Sequence, residues 1–391
     1  MTVEVIESVC VYPKHLTKLL KARVSKWQFQ TQNLFLIDKV HPFSVDSLQF
    51  NIFLQSRSVS WNSSGIWLAI ASSDRMARLW TLDGSVTREV LVVSGHTAPV
   101  QRVRFHPTDS AWLCTAASDG SVRLWDVRSA TQKSLGRIDV QSGNSASDIA
   151  WNPNPRSASI LAVTEGDGSV YLYDTRKLPS HHTAAVATNS NTATPTITNT
   201  STTGKRPPNN ALHTFQLQPS LVETCIFSPF GRHLVAATTN RNGLGELSIW
   251  NWEEEKSEII VYPAHSGPIY SLAFSPDGAR LASGGSDAIV GIWDTESVVC
   301  THTIHRCTKF IRSVSFSHDS QLLASSSEDG ITVSLADSGE ELVEEKNLGG
   351  RPGADEISFH PKAHVIACAR CDFGMGNPAA AVTIAKLSFT S

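Results

Sequence analysis

A closed ring of seven four-stranded sheets, an all-β β-propeller, is the fold this sequence predicts. Three observations carry it: a recurring period, a turn at a fixed place within it, and an aromatic–aspartate pair near its end. An alternating segment closed by an aromatic and a turn occurs as "SVSWNSSG" (58–65), "RVRFHPTD" (102–109), "DIAWNPNP" (148–155) and "TCIFSPFG" (224–231). It returns as "SLAFSPDG" (271–278), "SVSFSHDS" (313–320) and "EISFHPKA" (356–363). The aromatics Trp61, Phe105, Trp151, Phe227, Phe274, Phe316 and Phe359 are spaced by 44, 46, 76, 47, 42 and 43 residues, and only the third spacing is out of line.

Each repeat supplies its strands in order. Period-2 alternation before the aromatic gives the inner strand, and the Pro, Asp and Gly after it give a hairpin turn. Two further strands follow, "LCTAASDG" and "SVRLWDVR" in the second repeat, "LASGGSDA" and "IVGIWDTE" in the fifth. The outermost strand then leads to the next unit, where Gly95–His96 and Ala264–His265 stand ahead of the second and fifth.

Those histidines complete a pattern that invites a catalytic reading. Thr115, Asp119 and Trp125, and again Ser283, Asp287 and Trp293, fall at relative positions 0, +4 and +10, behind His96 and His265. Hydroxyl, imidazole and carboxylate are the parts of an acyl-transfer triad. A triad would not be duplicated with a tryptophan attached, and nothing suggests an oxyanion hole. The pattern reads instead as a buried chain: indole N–H to hydroxyl, hydroxyl to imidazole, imidazole to carboxylate.

The long third spacing contains residues 178–210, a Ser/Thr/Asn-rich run expected to be a disordered insertion between the third and outer strands of the third blade. The final segment "AAVTIAKLSFTS" reads as the third strand of the last blade, so an N-terminal strand must complete it. "LQFNIFLQ" (48–55) is the expected donor and "NLFLID" (33–38) the alternative; closure removes two open sheet edges. The propeller is therefore expected over 48–391 and an N-terminal extension over 1–47. Within the extension, Leu16, Leu19, Leu20, Val24 and Trp27 share one face of a basic amphipathic helix. That face suits docking on the propeller itself or anchoring a partner protein, with RNA or membrane contact a third reading.

Composition narrows the function. The chain has 391 residues, 41% apolar and 18% charged, with net charge −3, so no global field attracts nucleic acid. It lacks a run of apolar residues long enough to span a membrane, and its first residues do not read as a signal peptide. The seven scattered cysteines read as free thiols in a reducing compartment. "CARC" (368–371) has zinc-like spacing but lies on a strand, where residues three apart face opposite ways. "DFG" (372–374) stands without any other kinase element, and His181–His182 without further ligands. No catalytic residue, metal site or cofactor is expected. Partner contacts are expected on the loops at the His96 side: Arg75, Met76, Arg241, Phe310, Phe373 and Met375.

With period, turn and terminal dipeptide in agreement, the chain resembles the WD40 family over about residues 48–389. "YPAHSGPIYSLAFSPDGARLASGGSDAIVGIWDTESVVC", "IRSVSFSHDSQLLASSSEDG" and "GHTAPVQRVRFHPTDSAWLCTAASDGSVRLWDVR" are similar to the WD40 subunits of the THO complex. That resemblance implies a nuclear, non-catalytic scaffold within the larger TREX assembly of mRNA packaging and export. It implies large helical subunits as partners, with RNA reached through them and no small-molecule substrate. "WDVR" (125–128) and "YDTR" (173–176) resemble instead the WDxR motif of cullin-ligase substrate receptors, with Arg128 and Arg176 as possible anchors.

Overall fold

In the computed structural model, residues 43–50, 56–83, 86–129, 134–140, 145–166, 168–178, 211–217, 221–254, 258–346, 353–370 and 382–389 are described. They form seven four-stranded sheets. In six of them the strand order follows the chain, inner to outer, as in Ile269–Phe274, Arg280–Gly285, Val290–Asp294 and Val299–Ile304 of blade five. The inner strands of successive blades touch, and that of blade seven, Glu356–Phe359, touches that of blade one, Ser56–Trp61. Seven blades thus close into a ring.

Blade seven is composite: Glu356–Phe359, Val365–Ala369 and Val382–Phe389 are completed at the outer edge by Phe43–Phe50. The closing strand begins five residues upstream of the expected 48–55, and 33–38 lies outside the described residues. The cause is in the sequence: "FSVDSLQF" also carries spaced apolar residues, Phe43 and Val45, then Leu48 and Phe50, and alternation alone does not fix which frame pairs.

The core is divided rather than central. Seven apolar clusters each straddle one pair of neighbouring blades. Between blades four and five, Val235, Ala237 and Leu247 meet Ile269, Leu272, Leu281 and Trp293. Between blades seven and one, Ala367, Ala369, Val382 and Ile384 meet Val59, Trp61, Leu68 and Ile70. A blade buries its two faces only against its neighbours, so closure removes the last pair of apolar faces from water.

Turn chemistry places the hairpins. After Phe274, the Ser275 hydroxyl pairs with Asp277, the Gly278 N–H donates to the Ser275 carbonyl at 2.8 Å, and Gly278 takes φ +75°. Blade six puts Ser320 at the equivalent place with φ 62°, and its hydroxyl accepts the Asp277 N–H of blade five at 3.1 Å. A left-handed serine is uncommon; here it ties two turns together.

Residues 179–210, which hold the expected insertion apart from Leu178, lie outside the described residues between Thr175–Lys177 and the outer strand Ala211–Gln216. Among the described residues no helix is long and apolar enough to cross a membrane. The segment expected to form an N-terminal helix is also outside them, with Leu16, Leu19, Leu20 and Trp27.

Candidate functional site

Each inner strand has one hydrogen-bonded neighbour, so its axial edge presents backbone N–H groups that need another acceptor. The preceding blade's side chain provides it. Ser58 accepts from Val103 N–H at 3.2 Å, Ser271 from Val314 at 3.1 Å, Ser313 from Ile357 at 3.1 Å and Glu356 from Val59 at 3.0 Å. All four acceptors lie three residues before their blade's aromatic. Arg102, Asp148 and Thr224 occupy that place in the remaining blades.

All of these but Ser58 line an axial channel of about 350 Å³. In its wall Arg104 Nη2 lies 2.7 Å from Glu356 and 3.9 Å from Asp148, while Arg102 lies 3.3 Å from Asp148 and 3.9 Å from Glu356. Both carboxylates are buried. Burial works against the Glu356 charge, but the two guanidiniums hold its carboxyl below the usual range. The wall is neutralised pair by pair.

One residue further upstream, the strand bulges. In blades one to six the pairing with the second strand skips Arg57, Gln101, Ser147, Glu223, Tyr270 and Arg312. A bulge inserts an unpaired residue and re-aims its side chain. These six, with Asp355 of blade seven, are all half-buried at the inner-strand ends that enter from the His96 and His265 loops, and Tyr270, Arg312 and Asp355 line the channel at that rim. The rim carries both signs of charge. Its densest part is at blades five and six, where the Arg312 guanidinium sits 5.5 Å from the Tyr270 ring centre and 5.9 Å from that of Phe310. Glu328 accepts from the same guanidinium at 2.7 Å, and Phe310 is 44% exposed.

The structure brings each polar quartet together. Trp125 Nε1 donates to the Thr115 hydroxyl at 2.9 Å, that hydroxyl is 2.7 Å from His96 Nε2, and Asp119 is 3.2 Å from His96 Nδ1. In blade five the same contacts are 2.9 Å, 2.7 Å and 3.0 Å for Trp293, Ser283, His265 and Asp287. With its acceptor side taken by the indole, the hydroxyl donates to Nε2, which leaves Nδ1–H for the carboxylate. Asp119 and Asp287 also accept from the Thr97 and Ser266 N–H groups, which fixes the loop before each inner strand. Ser283 and Thr115 are fully buried, beyond the reach of a substrate.

Protonation of this brace has a sign. Burial makes His96 less basic despite Asp119, and burial does the same to His106 and His360. Burial also opposes the Asp119 charge, yet the Thr97 and Ser121 donors hold its carboxyl down to about 2. The three histidines bind protons more weakly folded than unfolded. Their contribution is complete above the unfolded value of about 6.5 and declines below it, and that of Asp119 declines as pH falls through the carboxylate range. The urea midpoint at pH 5 is therefore expected below that at pH 7.5, with net proton uptake on unfolding.

The predicted contact residues are scattered. Arg75 and Arg241 are exposed loop residues, Arg75 with φ 73°, and Met76 is half-buried beside Arg78. Of these, Phe310 alone joins the rim cluster. Phe373 and Met375 lie outside the described residues. Arg128 folds back on Asp126 with two bonds of 2.9 and 2.8 Å, and Arg176 on Asp174 with 2.9 and 2.7 Å. Sequence reasoning missed the channel wall and rim, although a polar residue three places before every aromatic was there to be seen.

Seven blades and the braced quartets define a β-propeller, and four segments of it, residues 55–81, 87–126, 256–294 and 298–332, match the WD domain, G-beta repeat family. The chain is 26% identical over 318 residues to THO complex subunit 3 of Arabidopsis thaliana, covering 81% of this chain and 86% of that protein. It is 24% identical over 331 residues to WD repeat-containing protein AAC3 of Dictyostelium discoideum, covering 78% of this chain and 60% of that one. Similarity to a Periodic tryptophan protein 2 homolog of Caenorhabditis elegans, 30% over 119 residues, spans 13% of that protein.

Proposed function

We propose that this propeller is a non-catalytic docking subunit of a THO-type multi-subunit complex, acting in the nucleus in mRNA packaging and export. The observation that carries the reading is reciprocal coverage: the likeness to a THO complex subunit runs over 81% of one chain and 86% of the other. The rim adds physical support. Its mixed charge and its Tyr270, Phe310 and Arg312 cluster suit a protein surface better than a phosphate backbone. Large helical subunits are the partners, and RNA is reached through them.

Affinity purification of the tagged chain from nuclear extract, followed by mass spectrometry, tests this. THO-type subunits retained through a salt wash support it, and their absence overturns it. A cullin-ligase adaptor is the competing partner. Because Arg128 and Arg176 are already paired with their own aspartates, Arg128→Ala with Arg176→Ala is expected to leave the captured set unchanged. An adaptor captured by the parent chain and lost in this variant would instead establish the ligase reading.

A further inference from the structure

We infer that His318, Asp319 and His364 form a zinc site on the face opposite the rim, fastening the turn of blade six to that of blade seven. The first two residues lie in the turn after Phe316, and His364 in the turn after Phe359. One donor atom from each lies within 4.8 Å of the other two. His364 Nε2 and Asp319 Oδ2 are 3.0 Å apart, close to the roughly 3.3 Å edge of a tetrahedron with zinc bonds of about 2.0–2.1 Å. The two imidazole centres are 4.9 Å apart.

A second observation points to a ligand. Nδ1 of His318 is closed off from solvent and has no hydrogen-bond partner among the described residues. A buried nitrogen without a partner is costly, and a metal ion satisfies it. The carboxylate is already oriented: Asp319 Oδ1 accepts from the Ser317 hydroxyl and the Gln321 N–H, leaving Oδ2 toward His364. Such outer contacts tune a ligand set. His360 is not a member, since its Nε2 donates to the Gly65 carbonyl at 2.9 Å and its Nδ1 accepts from Lys362 N–H at 3.1 Å.

Two imidazoles and one carboxylate favour zinc over magnesium or calcium, which prefer oxygen donors alone. Three protein ligands leave a fourth position for water or for a side chain of a docked protein. The ion joins blade six to the composite blade whose outer strand comes from the other end of the propeller, so it acts as a second latch on the ring.

The test is zinc titration of the full chain after chelator treatment and dialysis, by calorimetry, together with thermal unfolding in zinc or magnesium. The expected result is one zinc per chain and a higher unfolding midpoint in zinc but not in magnesium. His318→Gln and His364→Gln are each expected to weaken binding about tenfold or more and to abolish the zinc-dependent shift. His318 Nδ1 makes no hydrogen bond, so H318Q keeps the fold, and an unchanged midpoint in chelator verifies it. Undiminished zinc uptake by H318Q, which would assign the ion to other histidines or cysteines, overturns the site; so does a parent chain that takes up none.

Discussion

Glu356→Leu lowers the free energy of unfolding by about 3 kcal/mol or more, the range for breaking a buried ion pair by removing one partner. The carboxylate holds Arg104 at 2.7 Å, faces Arg102 at 3.9 Å and accepts the Val59 N–H at 3.0 Å. Leucine leaves two guanidiniums sharing Asp148 and a buried N–H with no acceptor, and each loss acts in the same direction. Glu356→Gln separates the two effects: the amide oxygen still accepts from Val59, so roughly half the loss is expected. Arg104→Met combined with Glu356→Leu recovers part of it, because the unpaired charge is gone. Urea unfolding of the four chains at pH 7.5 checks the series. Equal midpoints for the parent and Glu356→Leu would show that the wall charges are already solvated by channel water.

The same wall shows how far the sequence could be read. Blade number, strand order and the two quartets were legible because the period, the turn residues and the hydroxyl–aspartate–tryptophan spacing are properties of a single repeat. A local pattern needs no knowledge of its neighbour. The wall was harder: Arg104 meets Glu356 from five blades further along the chain, and only closure of the ring makes them partners. The rim was hidden for another reason. Strict alternation cannot anticipate a bulge, and the bulge is what turns Tyr270 and Arg312 to the channel mouth while Ser271 and Ser313 stay on the seam. The closing strand, Phe43–Phe50, was displaced from its expected start because "LQF" belongs to two overlapping alternating segments. Arg128 and Arg176 illustrate the reverse case. The motif allows either an interface anchor or an arginine that caps its corner on the nearby aspartate, and in the folded chain each arginine is bidentate to the aspartate two residues before it.

Phe310→Ala together with Arg312→Ala weakens capture of the protein partner by about 30-fold or more while leaving thermal unfolding nearly unchanged. The magnitude follows from hot-spot behaviour: truncating a central aromatic or arginine anchor costs about 2 kcal/mol or more, and 1.4 kcal/mol is tenfold. The location follows from preorganisation. Arg312 lies against both the Tyr270 and Phe310 rings and is bonded by Glu328, so little side-chain freedom remains to be lost on docking. Phe310 is 44% exposed, which is why its removal spares the fold. Phe230, 74% exposed on a turn of the opposite face, supplies the control: Phe230→Ala is expected to leave capture intact. Binding that survives the double substitution but is lost with Phe230→Ala would move the interface to the other side of the ring. Sensitivity to the rim alone would mean that the bulge in the inner strands of blades one to six, repeated around the axis, is the device that converts a structural repeat into a binding surface.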